Sequence, residues 1–201
     1  MSEILLPLIT TVVGIAGTLG AIYLKSYLEQ KSKTKNKGKI EVCIDDDYKI
    51  LTGLDELLTE LDADRITIYS FHNGGEFYSG KSMQKMSISY EVVGRGISRN
   101  HLKTQNIPVS ASLTTLKPLV EDKEFHIVDV AKDYPEGLCK YHLEEEGTKS
   151  TYQWALIDLN SNLIGMLRVD FVKDHVQLSK TKLKSALVSV IKLPGYLVNK
   201  K

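Results

Sequence analysis

The chain has 201 residues, 42% hydrophobic, 25% charged and 7% aromatic, with two cysteines, a balance that excludes a disordered chain, a collagen-like repeat and a disulfide scaffold. The net charge is +1, but residues 1 to 39 hold six lysines against Glu3 and Glu29 and so carry +4, which leaves the remaining 162 residues at −3. A mildly acidic main body argues against a nucleic-acid-binding face and gives no reason to expect a polyanionic substrate.

The first element is Ile4 to Leu24, ILLPLITTVVGIAGTLGAIYL, 21 residues without a charge. As a helix it spans roughly 31 Å at about 1.5 Å per residue, enough to cross a bilayer. A secretory signal would open with basic residues and end in a small-residue cleavage site, whereas only Met1, Ser2 and Glu3 precede this run and Lys25 closes it. The reading is an uncleaved anchor over residues 1–24. Pro7 falls in the first turns, where a missing N–H costs least, and Tyr23 and Tyr27 fall at the level of an interfacial aromatic belt. A buried core helix is the alternative, but Gly14, Gly17 and Gly20 would weaken it in water. In lipid, Ala16 with Gly20 and Gly17 with Ala21 stand four apart and let two helices approach closely, which predicts a homo-oligomer.

Residues 25–41 follow as a basic flexible linker, with Lys31, Lys33, Lys35, Lys37 and Lys39 alternating with small or polar residues and nothing to pack. Lysines beside one end of a span favour the cytoplasmic side, so the N-terminus is expected outside and residues 25–201 in the cytosol, at the inner face of the cytoplasmic membrane. Attraction of these lysines to anionic headgroups explains them without nucleic acid. Cys43 and Cys139 have no CxxC spacing and no histidine at metal-ligand spacing, so free thiols and no metal site are expected.

From residue 42 to 201 the pattern is that of a soluble domain. Ile44, Tyr48, Leu51, Leu54, Leu58 and Leu61 recur in steps of three and four, predicting an amphipathic helix over Asp45 to Leu61. Arg65 to Phe71 reads as a strand closed by the turn residues Asn73, Gly74 and Gly75. Met86, Ile88, Tyr90 and Val92 alternate with polar residues, predicting a second strand that buries all four on one face. A short helix around Leu113 and Leu116 is expected to stop before Pro118, followed by a strand over Phe125 to Val130 and a helix over Pro135 to Glu146 closed by Gly147. Strands over Thr151 to Leu159 and Leu163 to Val172 flank the turn Asn160-Ser161-Asn162, and Leu183, Ala186, Leu187, Val190 and Ile191 predict a closing helix that ends at Pro194-Gly195.

This order predicts an α+β domain, with an antiparallel five-stranded sheet and helices against one face. With RITIYSFHNGG as opening strand and TYQWALIDL and LIGMLRVDF paired before a terminal helix, the body resembles the GAF and PAS group of sensory domains over about Asp46 to Val198. The resemblance implies a sheet whose crossing segments enclose a small-molecule pocket, with flanking helices that often mediate dimerisation. A span, a linker and a soluble head also resemble, in architecture, the holins of T-even phages. That resemblance implies a periplasmic head that meets an antiholin, and transmembrane helices that assemble into a lesion for host lysis. The lysine run after Leu24 points to the opposite orientation.

Phe71 to Tyr78 is the stretch richest in chemistry: His72 and Asn73 with two glycines allow close backbone approach to a ligand, although a hairpin turn explains the same residues. Tyr90, Tyr152 and Trp154 are candidates for aromatic pocket walls, with ordinary core as the alternative. Arg168 shares a strand face with Met166, Asp170 and Val172 and is a candidate to read a polar ligand. No GxSxG, HExxH, Walker or GxGxxG pattern occurs, and Val93-Gly94-Arg95-Gly96 lacks the third glycine. One branch of GAF-like proteins reduces methionine sulfoxide with cysteines, but the only second thiol for Cys139 is Cys43, beside the linker. The expectation is a membrane-anchored, non-catalytic sensory or regulatory module for a small molecule or a protein partner, with no cofactor, no metal and no catalytic residue.

Overall fold

A computed structural model of the chain describes residues 39–197. The expected span 4–24, with Ala16, Gly17, Gly20 and Ala21, and the linker up to residue 38 lie outside the described residues. Among the described residues no helix is long and apolar enough to cross a membrane. The chain divides into two compact units at Asp45 and Asp46, and of the first only residues 39–45 are described, as helix.

Helix α1 (Lys39–Leu61) already covers Lys39 to Glu41, which the sequence assigns to the linker, and residues before the expected start at Asp45. In its second-unit part, Ile50, Leu54, Leu57, Leu58 and Leu61 are all buried, spaced to form one stripe. The helix ends because Asp62 takes a left-handed conformation, φ 56°, and Ala63 N–H returns to Leu58 O at 3.0 Å.

Six strands form one antiparallel sheet: β1 (Arg65–Glu76), β2 (Ser82–Val93), β3 (Ile107–Pro108), β4 (Glu124–Ile127), β5 (Ser150–Ile157) and β6 (Leu163–Phe171). Their spatial order is β3-β2-β1-β6-β5-β4. The sheet therefore has six strands rather than the expected five. The extra one, β3, is two residues long and pairs only with Lys85 and Met86, too short to show an alternation, and its proline suits an edge.

Helices cover both faces, not one. Ile66, Ile68, Trp154, Leu156, Leu167 and Val169 pack against α1 and against α5 (Lys180–Lys192), which the short α6 (Pro194–Leu197) follows. On the other face Tyr69, Met86, Ile88 and Met166 pack beneath Leu116 and Leu119 of α2 (Leu113–Glu121). Pro118 lies within α2 instead of ending it. The helix expected over Pro135 to Glu146 is α4 (Leu138–Glu145), preceded by the single turn α3 (Val130–Asp133). Gly137, at φ 147°, separates the two in a conformation that a side chain would strain.

The alternation in β2 is interrupted by a β-bulge. Ile68 pairs with Tyr90 but Tyr69 pairs with Ile88, which leaves Ser89 without a partner in the ladder. One extra residue reverses the facing of everything beyond it. Met86 and Ile88 therefore pack under α2, whereas Tyr90 and Val92 join the cluster that holds α1 and α5.

Candidate functional site

The face of the sheet under α2 and α4 carries a run of polar and charged side chains. Strand periodicity puts Arg65, Thr67 and Tyr69 of β1, Thr151 and Gln153 of β5, and Met166, Arg168 and Asp170 of β6 on that side. The pairing brings them together: Arg65 lies opposite Asp170, Thr67 opposite Arg168, and Gln153 opposite Arg168 from the other strand. Arg65, Gln153, Arg168 and Asp170 are all buried.

Burying these charges is costly unless they are paired, and here they are. Arg65 Nε donates to Asp170 Oδ2 at 3.1 Å and its Nη2 donates to Glu146 Oε2 and to Thr148 Oγ1, both at 3.0 Å. Arg168 Nη2 donates to the same Glu146 oxygen at 2.6 Å, and Thr151 Oγ1 donates to Asp170 Oδ1 at 2.8 Å. Glu146 caps the C-terminus of α4, so it ties that helix to the sheet. The Arg168 guanidinium lies 5.2 Å from the centre of the Tyr69 ring. Burial opposes the Arg168 charge, but Asp170 and Glu146 outweigh it and hold the group protonated well above its ordinary value.

Above this floor lies a cavity of about 540 Å³. Its walls come from three places: the segment after β2, with Asn100 and Lys103; the turn before α2, with Ser112 and then Thr115; and α3 to α4, with Tyr134 and Cys139. Buried Glu91 fixes the first wall by accepting the backbone N–H of Asn100, at 2.8 and 3.1 Å to its two oxygens, and that of His101 at 3.1 Å. The second and third walls meet where the Thr115 and Tyr134 hydroxyls are hydrogen-bonded. Burial raises the Tyr134 hydroxyl to about 12 despite the bond to Thr115 that favours ionisation, and burial also raises that of Tyr69. Both hydroxyls are neutral at physiological pH.

Three buried polar atoms in residues of this cavity have no hydrogen-bond partner among the described residues: Asn100 Nδ2, Gln153 Oε1 and Arg168 Nε. Arg168 Nε lies 3.0 Å from Asp170 Oδ2 and is ion-paired there, but out of line for a hydrogen bond. Cys139 contributes a half-buried thiol 3.7 Å from Ala111 O. Among the described residues, no group of three or more histidine, cysteine and acidic side chains is arranged to hold a metal ion.

Of the six ligand candidates read from the sequence, Arg168 lines this cavity and the others lie elsewhere. His72 Nε2 is hydrogen-bonded to Ser87 Oγ at 2.9 Å, and Asn73 Oδ1 accepts from Gly75 N–H at 3.0 Å and from Ser82 Oγ at 3.1 Å, which is turn chemistry. Tyr90 reaches Asp47 of α1. Tyr152 and Trp154 alternate with Gln153 and so face the other side of the sheet. There the Tyr152 hydroxyl donates to Val176 O at 2.8 Å and accepts from Leu178 N–H at 3.0 Å. The sequence reading missed Arg65, Gln153, Tyr134, Glu146 and Asn100. A charge at Arg65, in period two with Thr67 and Tyr69, was the available signal for the first; no local pattern marks the loop residue Asn100.

No protein-family profile matches the chain, and no curated protein matches it significantly. Solved structures do. The GAF domain of PixJ from Thermosynechococcus elongatus, in its blue-light-absorbing form, is 12% identical with a TM-score of 0.62, over 78% of this chain and 89% of that one. A far-red cyanobacteriochrome photoreceptor is 13% identical with a TM-score of 0.60, over 87% of this chain and 96% of that one. The phycocyanobilin-bound GAF domain of a cyanobacterial phytochrome is 21% identical with a TM-score of 0.58, over 80% and 93% respectively. The shared feature is the fold: this domain is GAF-like.

Proposed function

We propose that the chain is a membrane-anchored sensory module whose GAF-like head binds a small molecule in the cavity above Arg65 and Arg168, without catalysing a reaction. One observation carries this reading. A cavity of about 540 Å³ has buried polar atoms of Asn100 and Gln153 with no partner among the described residues. Native proteins leave few buried polar groups unsatisfied, and a ligand supplies partners that the chain does not. The GAF-like fold supports the sensory part, since its solved neighbours include photoreceptors. The charge-free stretch 4–24 and the lysines after it support the anchor and a cytosolic head at the cytoplasmic membrane, and self-association through Ala16, Gly17, Gly20 and Ala21 belongs to the same proposal.

The test is to purify the full chain from membranes in mild detergent, denature it and identify by mass spectrometry what it releases. Ala111→Phe, which fills part of the cavity, is the comparison. A small molecule released by the native chain and absent from the variant supports the reading; identical releases from both overturn it. A tetrapyrrole, as in the phytochrome neighbour, would announce itself by visible absorption.

A further inference from the structure

The polar groups of the cavity also narrow the chemical class of ligand. Its walls hold an excess of donors. Asn100 is 6% exposed, and its Nδ2 has no partner among the described residues; Arg168 Nε has no aligned acceptor. Lys103, more exposed at the cavity wall, makes no side-chain hydrogen bond or ion pair among the described residues. Against these donors the cavity sets one buried acceptor without a partner among the described residues, Gln153 Oε1. The charges lean the same way. Arg65 and Arg168 are balanced by Glu146 and Asp170, which leaves the exposed Lys103 as the wall cation outside that set. Glu145, also in the wall, has its carboxylate on Tyr141 and His142 and is more than half exposed.

Resting on the binding role above, we propose that the cavity takes a small organic anion, a carboxylate, phosphonate or phosphate ester, held by Arg168, Lys103 and the Asn100 amide. Hydrogen bonds to an ionised group are the strong ones, and in a buried site they are weakly screened.

The experiment uses the full chain in a mild nonionic detergent, with unfolding followed by the emission of Trp154, the single tryptophan. Four probes are added at millimolar concentration: isophthalate, its neutral analogue isophthalamide, phenylphosphonate and benzamide. The expected result is a higher unfolding temperature with the two anions and none with the two amides. Asn100→Leu is expected to raise the unfolding temperature of the free protein, since it removes a buried donor without a partner, while weakening anion binding about tenfold. Lys103→Met is expected to weaken anion binding and reduce its salt dependence. Equal stabilisation by amides and anions would overturn the anion assignment and leave the binding role standing. Stabilisation by none of the four would overturn the anion assignment, while the binding role stands or falls on the molecule released by the native chain. Undiminished anion binding in both variants would overturn the assigned residues.

Discussion

Arg65 and Asp170 are direct partners across the β1 and β6 pair, with Arg65 Nε donating to Asp170 Oδ2 at 3.1 Å while the residues are 1% and 0% exposed. Asp170 also meets Arg168, and Glu146 meets both arginines, so the four charges form a closed set of two and two. Removing one member leaves an uncompensated buried charge. Arg65→Met is expected to cost about 3 kcal/mol in stability. Adding Glu146→Gln to it restores one cation to one anion, so the double variant should be more stable than the sum of the single effects by about 1 kcal/mol or more. Urea unfolding followed by Trp154 emission measures all three; strict additivity would show that the charges act separately.

His126 lies opposite Tyr152 in the β4 and β5 pair, with its ring centre 4.9 Å from that of Trp154. Burial lowers its pKa below the ordinary 6.5, although the Glu124 carboxylate, 3.6 Å from Nε2, works in the other direction. A folded value below the unfolded one means that the fold favours the neutral ring. The stabilisation is fully present above pH 6.5 and is lost as pH falls through the folded value. The unfolding temperature should therefore drop as the solution is acidified below about pH 6.5, and His126→Phe should flatten that part of the profile. An unchanged profile in the variant would assign the acid sensitivity to other groups.

Ser89 lets β2 serve both faces of the sheet. Deleting it would restore strict pairing and drive Met86 and Ile88 toward the face where Tyr90 and Val92 now pack, or the reverse. The expected cost is about 3 kcal/mol or more, since either outcome moves two apolar side chains out of a packed cluster. Ser89→Ala, which keeps the extra residue and loses only the bonds to Ser70 Oγ and Ile68 O, should cost about 1 kcal/mol.

The same bulge explains much of what could and could not be read beforehand. Long periodic elements were legible: the leucines of α1, the alternation of β1 and the hairpin of β5 and β6 all follow from the spacing of apolar residues. A bulge leaves the alternation of Met86, Ile88, Tyr90 and Val92 intact in sequence while reversing it in space, so facing could not be assigned. Tyr152 and Trp154, aromatic candidates for pocket walls, pack in the cluster that holds α1 and α5, because the polar Gln153 between them faces the cavity. Buried charge was the better guide than aromaticity. Arg168 was recognised through its own strand, whereas its partners Arg65 and Glu146 come from distant segments and meet it only through the sheet pairing and the cap of α4.

Gly165 shows how closely β1 and β6 approach. It pairs with Ser70, and a Cβ added to it would lie 2.3 Å from Tyr69 O, a backbone atom that cannot swing aside. Gly165→Ala should therefore destabilise the domain by about 2–3 kcal/mol through displacement of one strand. Because Tyr69 lies beneath Arg168, the same change should also weaken isophthalate binding. A variant with native stability would mean that the strands part there at no cost.

Head orientation separates the sensory reading from the holin resemblance, because the two assign residues 42–201 to opposite sides of the membrane. The proposed cytosolic placement rests on the lysines after Leu24, since positive residues flanking a span are retained on that side. Fusion of reporters after Lys201, one active only in the cytosol and one only in the periplasm, should give signal from the cytosolic reporter alone in a bacterial host. Exchanging Lys31, Lys33, Lys35 and Lys37 for glutamine should reduce that bias, since it removes most of the charge that sets it. Signal from the periplasmic reporter in the native chain would overturn the cytosolic placement and call for an induced-lysis assay, in which loss of membrane integrity on expression would favour a lesion-forming role over ligand sensing.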